Sequence, residues 1–600
     1  MKRVSLGLVF GLTLVSSVQD LPVRAQLQAR PVAVAGSVAD RSKALSALFA
    51  EIWEDTLRHS PEFASSIGDK RYNDQLTDYS TQEVNAALAR GRGFIEKLSM
   101  IDTTGLPEQE RLSSDLMLRS LIDAQEGAKF KEWEMPVNQF TGFHTDLPQM
   151  VNRLQFDSVK DYDDYIARLQ KIPKVFSQNM TNMELGIDEG RMPPEYLLEK
   201  VLVQTQALAG QKPEESPFAL PLKKFPKTVS AEEQKRISTE LLEAISTQVL
   251  PAYQRFAKFL QVEYVPKGRK DPGAWALPEG DAYYAFRIRQ STTLNKSAAE
   301  IHQIGLDEVK RDEAEMLAIA QKLGFADLKS FNAAVKANPK EHPVSKEALL
   351  DAYRGYIAQM KPKLPELFGR LPKAPLEVVA VPAYMEKDQA PAYYDNGTPD
   401  GSRPGRVYVN TYDFANRSLT SVEAVSYHEG IPGHHLQLSV AQELTGLPEF
   451  RKYSYYTAYT EGWGLYSERL GKDVGFYQDP YSDYGRLEAD IWRAIRLVVD
   501  TGVHSQHWTR QQMVDYFHEH SSIDEPSVQA EVDRYIAWPG QELGYKMGQL
   551  KLLELRDRAK TALGPKFDIR AFHDEVIDSG ALPLDVLEQR VDAWIAAQKK

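Results

Sequence analysis

The 600-residue chain contains no cysteine. This absence excludes disulfide bonds, thiolate metal ligands, cysteine nucleophiles and an N-terminal cysteine that carries a lipid. The chain also lacks a strongly basic block, and its net charge is −12 at pH 7. Proteins that bind nucleic acid need clustered positive charge to neutralise phosphates. We therefore expect no nucleic-acid partner.

Long hydrophobic runs are equally scarce. Lys2 and Arg3 precede an apolar run from Val4 to Val15, and Val23-Arg24-Ala25 offers a small-residue cleavage site. No other stretch approaches the roughly 18 apolar residues that a membrane-spanning helix needs. We predict a cleavable signal peptide over 1–25 and a periplasmic or secreted mature protein without a membrane span. The sequence also lacks the G-x-S-x-G turn of many serine hydrolases.

The periodicity of apolar residues predicts a mainly α fold. Helical spacing begins at Ser42 and recurs along most of the chain. Only Leu376–Val381 and Arg406–Thr411 are rich in β-branched residues, which predicts two strands separated by a loop. The predicted domain organisation is a signal peptide (1–25), a linker (26–40), an N-terminal helical lobe (41–290) and a C-terminal helical catalytic lobe with a small sheet (291–600).

A cluster of metal-binding residue types stands just after these strands. A catalytic zinc needs three protein ligands, and a further carboxylate must act on its water as general base. The usual motif places two histidines four residues apart, with a glutamate after the first. His428 and Glu429 fit its first half, but the next histidines follow His428 by six and seven residues. On a straight helix the seventh residue lies about 10 Å along the axis. We therefore predict a break at Pro432-Gly433 that returns His434 or His435 to the metal.

A glutamate on the next helical segment completes the predicted ligand set. Glu461 follows His434 by 27 residues, which leaves room for a helix, a turn and a returning helix. Glu468 lies two turns further along the same face and is the fallback ligand.

Later segments supply candidates for substrate binding and catalysis. Asp500 and His504 share a helix face, so Asp500 can orient His504 as a donor to an oxyanion. The planar guanidinium of Arg534 suits a substrate carboxylate. The candidate catalytic residues are Glu429, His504, Tyr535 and Tyr545, and the candidate substrate-binding residues are Arg534, Asn410 and Lys546.

Each of these residues has a structural alternative. His504 can be a core histidine with satisfied hydrogen bonds, and Arg534 can form an ordinary ion pair with Asp533. The tyrosines can be packing residues in a chain with 28 tyrosines. The strand Arg406–Thr411, which includes Asn410, can pair with an extended peptide at a sheet edge or lie inside the sheet.

Four strings in the sequence resemble, in order, motifs of the bacterial DUF885 family: SYHEGIPGHHLQ, YTEGWGLYSE, RLVVDTGVH and RYIAWPGQELGYKMG. That family is grouped with zinc metallopeptidases and is distantly similar to helical dipeptidyl carboxypeptidases and oligopeptidases. The resemblance implies a large two-lobed metallopeptidase-like fold with a small β-sheet beside the active-site helix. It also implies Zn²⁺ held by His428, His434 and Glu461. His434 is preferred to His435 because it follows glycine, as the second ligand does in the related HExGH form.

We therefore expect a zinc-dependent metallopeptidase that hydrolyses short peptides by a metal-activated water, with Glu429 as general base. Anchoring of a terminal carboxylate by Arg534 or Lys546 would make its action carboxypeptidase-like. One alternative is an inactive periplasmic peptide-binding protein on a peptidase fold, and another is a metal-dependent hydrolase of non-peptide amides or esters. A binding protein has no need of a general base beside the metal, which argues against the first alternative.

Overall fold

The structure, a computed structural model, describes residues 36–381, 386, 390–397 and 403–600. These residues are mainly helical, with one small sheet, which confirms the predicted mainly α fold class. The predicted signal peptide and residues 26–35 of the predicted linker lie outside the described residues. The first described helix begins at Val38, where Ser37 and Asp40 form a capping box, so residues 38–40 of the predicted linker are helical. The division into two lobes at 290 stays a prediction.

Most of the described chain before the sheet is helical, as the recurring apolar spacing predicts. The α-helices up to the sheet are α1 (Val38–His59), α2 (Pro61–Ser66), α3 (Thr81–Ser99), α4 (Glu108–Gly127), α5 (Phe143–Met150), α6 (Val159–Leu169), α7 (Ile172–Glu189), α8 (Glu195–Ala209), α9 (Ala231–Ala244), α10 (Leu250–Phe259), α11 (Gly280–Thr292), α12 (Ala298–Lys322), α13 (Leu328–Ala337), α14 (Lys346–Met360) and α15 (Leu364–Leu367).

The helices after the sheet contain the candidate site. They are α16 (Val422–Glu429), α17 (His434–Glu443), α18 (Glu449–Lys452), α19 (Thr457–Asp473), α20 (Pro480–Ser505), α21 (Arg510–His520), α22 (Glu525–Ala537), α23 (Leu543–Leu563), α24 (Ile569–Ile577) and α25 (Leu584–Lys599). Every helix in the described ranges is too short or too polar to cross a membrane.

Two closely packed helix pairs set the frame of this part of the molecule. Helix α12 packs along α20, and α19 packs along α23. The second pair approaches very closely, because a Cβ on Gly462 would lie 2.5 Å from the Cα of Gly548. Glycine at both positions therefore lets the backbones of α19 and α23 meet, and side chains on their neighbouring turns face a common space.

The sheet has the strand order β1-β3-β2, with β1 (Leu376–Ala380) parallel and β2 (Ala392–Asp395) antiparallel to β3 (Gly405–Val409). Two strands were predicted, but β2 lies in the predicted loop. It pairs with β3 partly through the rings of Tyr393 and Tyr408, whose centroids are 4.9 Å apart. Because β3 is hydrogen-bonded on both sides, the prediction that it is a substrate-pairing edge is wrong, and the internal-strand alternative is right.

Candidate metal centre

The helix that begins at Val422 breaks after Glu429, and a new helix begins at His434, as the Pro-Gly pair predicted. A Cβ at Gly433 would lie 1.9 Å from the carbonyl oxygen of His428, so the turn folds back too tightly for any side chain there. The indole Nε1 of Trp463 donates to the carbonyl oxygen of Pro432 at 2.9 Å. The turn is therefore held against α19, and His434 stands beside His428 on a separate helix.

Three side chains from three helices converge at this turn. His428, His434 and Glu461 each offer one ligand atom, and these atoms lie within 4.8 Å of one another. Oε2 of Glu461 is 3.6 Å from Nε2 of His428 and 3.5 Å from Nε2 of His434. Ligands of a tetrahedral zinc at about 2.0–2.1 Å stand roughly 3.3–3.4 Å apart. Two imidazole nitrogens and one carboxylate oxygen form a donor set that could hold a divalent metal ion such as zinc.

Two residues of α19, Glu468 and Gly464, fix the position of the His428 ring. Its Nδ1 lies 2.7 Å from Oε1 of Glu468, a contact of the kind that orients a ligating imidazole and makes it a stronger ligand. A Cβ on Gly464 would lie 2.6 Å from Nε2 of His428, so glycine at this position leaves room for the ring. Glu468, predicted as the fallback ligand, therefore lies behind His428 and not beside Glu461.

The carboxylate of Glu461 is held by a residue that the sequence reasoning missed. The hydroxyl of Tyr455 donates to Oε1 of Glu461 at 2.8 Å, which leaves Oε2 for the two histidines. The ring of Tyr455 is 56% exposed, so the residue reaches the site from the surface. Tyr455 precedes α19 and has no helical spacing to Glu461, and no pattern in the sequence distinguishes it from its tyrosine neighbours.

The electrostatics of the site favour a positive charge. Burial opposes protonation of His428, but its interactions with Glu461 and Glu468 raise its pKa to about 10. Burial likewise opposes ionisation of Glu461, yet the neighbouring His434 and His428 lower the pKa of Glu461 well below its usual range. The carboxylates thus favour a positive charge here, and a bound cation would replace the proton on His428.

Glu429 follows the first histidine and has a different environment. Burial raises the pKa of Glu429 above its usual range, against the opposing charges of His428 and His434. A carboxyl group whose pKa moves toward neutrality is suited to accept and return a proton. The role of Glu429 as general base stays a prediction.

The choice between the two neighbouring histidines follows from their hydrogen bonds. The ring of His435 lies between the hydroxyl of Tyr394, 3.0 Å from Nδ1, and the carbonyl oxygen of Ala374, 3.1 Å from Nε2. Burial lowers the pKa of His435 to about 4. Since both of its nitrogens are engaged, His435 connects α17 to the region of the sheet, and His434 is the histidine that meets His428 and Glu461.

His504 also has both ring nitrogens engaged. The backbone N–H of Ala274 donates to Nδ1 at 2.9 Å, and Nε2 lies 3.0 Å from the carbonyl oxygen of Tyr535. Asp500 does not orient this ring, because it accepts from the hydroxyl of Tyr284 at 2.5 Å. With no exposed surface and no free nitrogen, His504 fits the core-histidine alternative rather than the predicted oxyanion donor.

The other predicted substrate and catalytic residues are mostly engaged inside the protein. The Tyr535 hydroxyl donates to Glu531 at 2.6 Å, and Arg534 pairs with Glu542 at 2.6 Å. Lys546 is fully buried, 2.7 Å from Asp490. Asn410 is 1% exposed, and its side-chain amide donates to a backbone carbonyl at 2.6 Å. These contacts leave little of the four side chains for a substrate.

Tyr545 is the exception among them. It is partly exposed, and its ring centroid lies 4.7 Å from the guanidinium carbon of Arg496. Burial, followed by the charges of Glu461 and Glu542, raises the pKa of Tyr545 above its usual range. The phenol therefore stays protonated, as a hydrogen-bond donor near the carboxylate of Glu461.

Comparison with known proteins agrees with the sequence motifs. The profile of a family described as "Bacterial protein of unknown function (DUF885)" matches residues 61–591. The chain belongs to the DUF885 family.

Two solved structures resemble this DUF885 protein over nearly their whole length. A candidate lipoprotein from Colwellia psychrerythraea is 30% identical with a TM-score of 0.88, over 93% of this chain and 100% of that one. A candidate lipoprotein of unknown function from Shewanella oneidensis is 18% identical with a TM-score of 0.71, over 92% and 99% of the two chains. The second likeness shows the fold alone. A search of curated proteins finds no match for this DUF885 member.

Proposed function

We propose that this DUF885 protein is a zinc-dependent metallopeptidase that hydrolyses short peptides. The observation that supports the proposal most is the convergence of His428, His434 and Glu461 from three helices, with Glu429 adjoining the first ligand. The proposed location is the exported compartment, supported by the signal-like N-terminus and by the Colwellia psychrerythraea relative, which is a candidate lipoprotein.

Each step of the proposed reaction is assigned to particular residues of the chain. His428, His434 and Glu461 would hold the zinc ion, which supplies polarisation of a water molecule and of the substrate carbonyl. Glu429 takes a proton from the attacking water at its carboxylate and passes it to the leaving amine. The Tyr545 hydroxyl donates a hydrogen bond to the carbonyl oxygen as negative charge develops there.

The test is zinc content and peptide cleavage measured on the same preparations. We expect the purified protein to bind about one zinc, to cleave a mixture of short peptides and to lose cleavage with a chelator. Glu429→Gln should keep its zinc and lose roughly 10²- to 10⁴-fold in rate, the usual contribution of a general base. Cleavage by Glu429→Gln at the wild-type rate would refute the mechanism.

Parallel assays distinguish the two alternatives. Peptide affinity without turnover would indicate a binding protein. Turnover of esters or non-peptide amides, with no cleavage of the peptide mixture, would indicate a hydrolase of another substrate class.

A further inference from the structure

Three cations on α20, α22 and α23 are already neutralised by carboxylates. Arg496 pairs with Glu542 at 2.7 Å, and Arg534 pairs with the other oxygen of the same carboxylate at 2.6 Å. Lys546 is surrounded by acidic groups, the nearest of them Asp490 at 2.7 Å. These three side chains, two of which the sequence suggested for substrate binding, have little charge left for an anionic ligand.

Arg493 differs from these three cations. Its Nη1 donates to the carbonyl oxygen of Ala489, one turn earlier in the same helix, at 3.1 Å. Its Nε is buried without a hydrogen-bond partner, and no carboxylate in the described ranges lies within 4.0 Å of its guanidinium. Its guanidinium carbon lies 5.5 Å from the ring centroid of Trp492. A half-buried guanidinium without a counter-ion is costly, and an anionic ligand would offset that cost.

Arg493 lies on a helix, α20, that packs against α16, the helix of His428 and Glu429. Gly485 of α20 meets Thr420, just before α16, so closely that its Cβ would lie 2.1 Å from the Thr420 carbonyl oxygen. Arg493 lies about two turns further along α20, as Glu429 lies about two turns along α16. Helix α20 also packs against α23, which contains Tyr545.

The next turn of α20 meets Tyr545 of α23. Arg496, three residues after Arg493, lies over the ring of Tyr545 at 4.7 Å. Arg493 therefore lies on α20 between the turn that meets Thr420 and the turn that meets Tyr545.

We propose that Arg493 binds the free C-terminal carboxylate of the peptide substrate. The inference rests on the proposed peptidase function and narrows its substrate class to short peptides with an unblocked C-terminus, cleaved near that end. A planar guanidinium donates two parallel hydrogen bonds to a carboxylate, whereas a C-terminal amide offers one oxygen and no charge. The role that the sequence assigned to Arg534 or Lys546 thus moves to Arg493.

The test measures binding without turnover. Zinc-loaded Glu429→Gln protein is titrated calorimetrically with the tripeptide Ala-Ala-Phe as the free acid and as its C-terminal amide. We expect the free acid to bind roughly 10- to 100-fold more tightly, as for a charged hydrogen-bonded contact. Adding Arg493→Gln should remove this difference and leave amide binding unchanged, and Arg493→Lys should restore part of it. Arg255→Gln, on an exposed part of α10, controls for net charge.

Two outcomes would overturn the inference. Equal affinity for acid and amide in the Glu429→Gln protein would exclude a carboxylate site. An equal loss of affinity for both ligands in Arg493→Gln, with Arg493→Lys no better, would mean a structural role, and the urea midpoint of each variant would show it.

The outcome for the proposed function is separate. Wild-type protein that cleaves amidated and free peptides equally fast would remain a peptidase, but Arg493 would lose its role. Discrimination of acid from amide through Arg493, with no turnover of any peptide, would leave the carboxylate site in place and refute the peptidase.

Discussion

His428 of α16 and His434 of α17 have surroundings opposite to those of His504 of α20. His504 has each ring nitrogen within 3.0 Å of a backbone group. His428 and His434 instead direct Nε2 toward one oxygen of Glu461 at 3.5–3.6 Å, beyond a good hydrogen bond. Both nitrogens of His504 are paired, and its ring packs in the core. The Nε2 atoms of His428 and His434 and Oε2 of Glu461 instead leave a space between them that fits an ion. Hydrogen-bond satisfaction, rather than residue type or spacing, separates the structural histidine from the candidate ligands.

The largest effect expected from this contrast is on zinc affinity. His434→Ala should weaken zinc binding by more than the roughly 10- to 100-fold that loss of an outer partner costs. His435→Ala, one residue away with both nitrogens paired elsewhere, is the matched control and should keep its zinc. Competition with a chromophoric chelator measures both. Zinc loss in His435→Ala alone would reverse the assignment.

The second prediction concerns His504, whose substitution should lower the stability of the protein without changing its zinc affinity. His504→Gln disturbs two buried hydrogen bonds, so the free energy of unfolding should fall by about 2–4 kcal/mol at pH 7. Urea unfolding measures this loss. Zinc loss comparable with that of His434→Ala would instead place His504 in the site.

The pH dependence of that loss sharpens the test. Burial lowers the pKa of His504 from 6.5 to about 3 in the folded protein. Between these values the unfolded chain binds a proton that the folded chain does not, so this histidine lowers stability as pH falls. Glutamine has no such proton, and the gap between wild type and His504→Gln should narrow by about 1.4 kcal/mol per pH unit below pH 6. A constant gap would contradict the buried neutral imidazole.

The third prediction concerns the partner of His428. Glu468→Gln should weaken zinc binding roughly 10- to 100-fold, because the imidazole loses the carboxylate that orients it. Glu488→Gln is a matched control. The Glu488 carboxylate accepts hydrogen bonds from the hydroxyls of Thr420 and Ser522, and it contacts neither His428 nor His434. Equal zinc affinity in the Glu468 and Glu488 variants would show that His428 needs no such partner.

The smallest effect is expected at Tyr455. Tyr455→Phe removes one hydrogen bond to Glu461 and should weaken zinc binding roughly 3- to 10-fold. Tyr453→Phe is the control, because this neighbouring ring stacks on Trp53 at 5.5 Å. The absorption spectrum of the cobalt-substituted protein should change in the first variant only. Identical spectra would remove the positioning role of Tyr455.

The sequence was most informative where chemistry depends on neighbours in the chain. The Pro-Gly break before His434 follows from local stereochemistry, and most helix positions follow from periodicity. The contacts of His504 do not, because Ala274 lies 230 residues away and only tertiary packing brings its N–H to the ring. The same applies to Arg493, because its proposed role depends on the lack of a nearby carboxylate in the described part of the chain.

The sheet shows another limit of local patterns. Strand β2 has no apolar alternation long enough to predict, and it becomes a strand because β3 lies beside it. Glu468 and Tyr455 are similar cases, since each gains its role from a contact made after the helices have packed.

The break at Gly430–Gly433 has a thermodynamic consequence. In a straight two-histidine helix the ligand spacing is local, so a short segment retains it. Here the spacing exists only when α16, α17 and α19 are docked, with Trp463 bonded to the turn. A cation bound between them would act as a ligand of the native state alone, so its binding and global folding would be linked equilibria. The melting temperature of the protein would then report the free metal concentration.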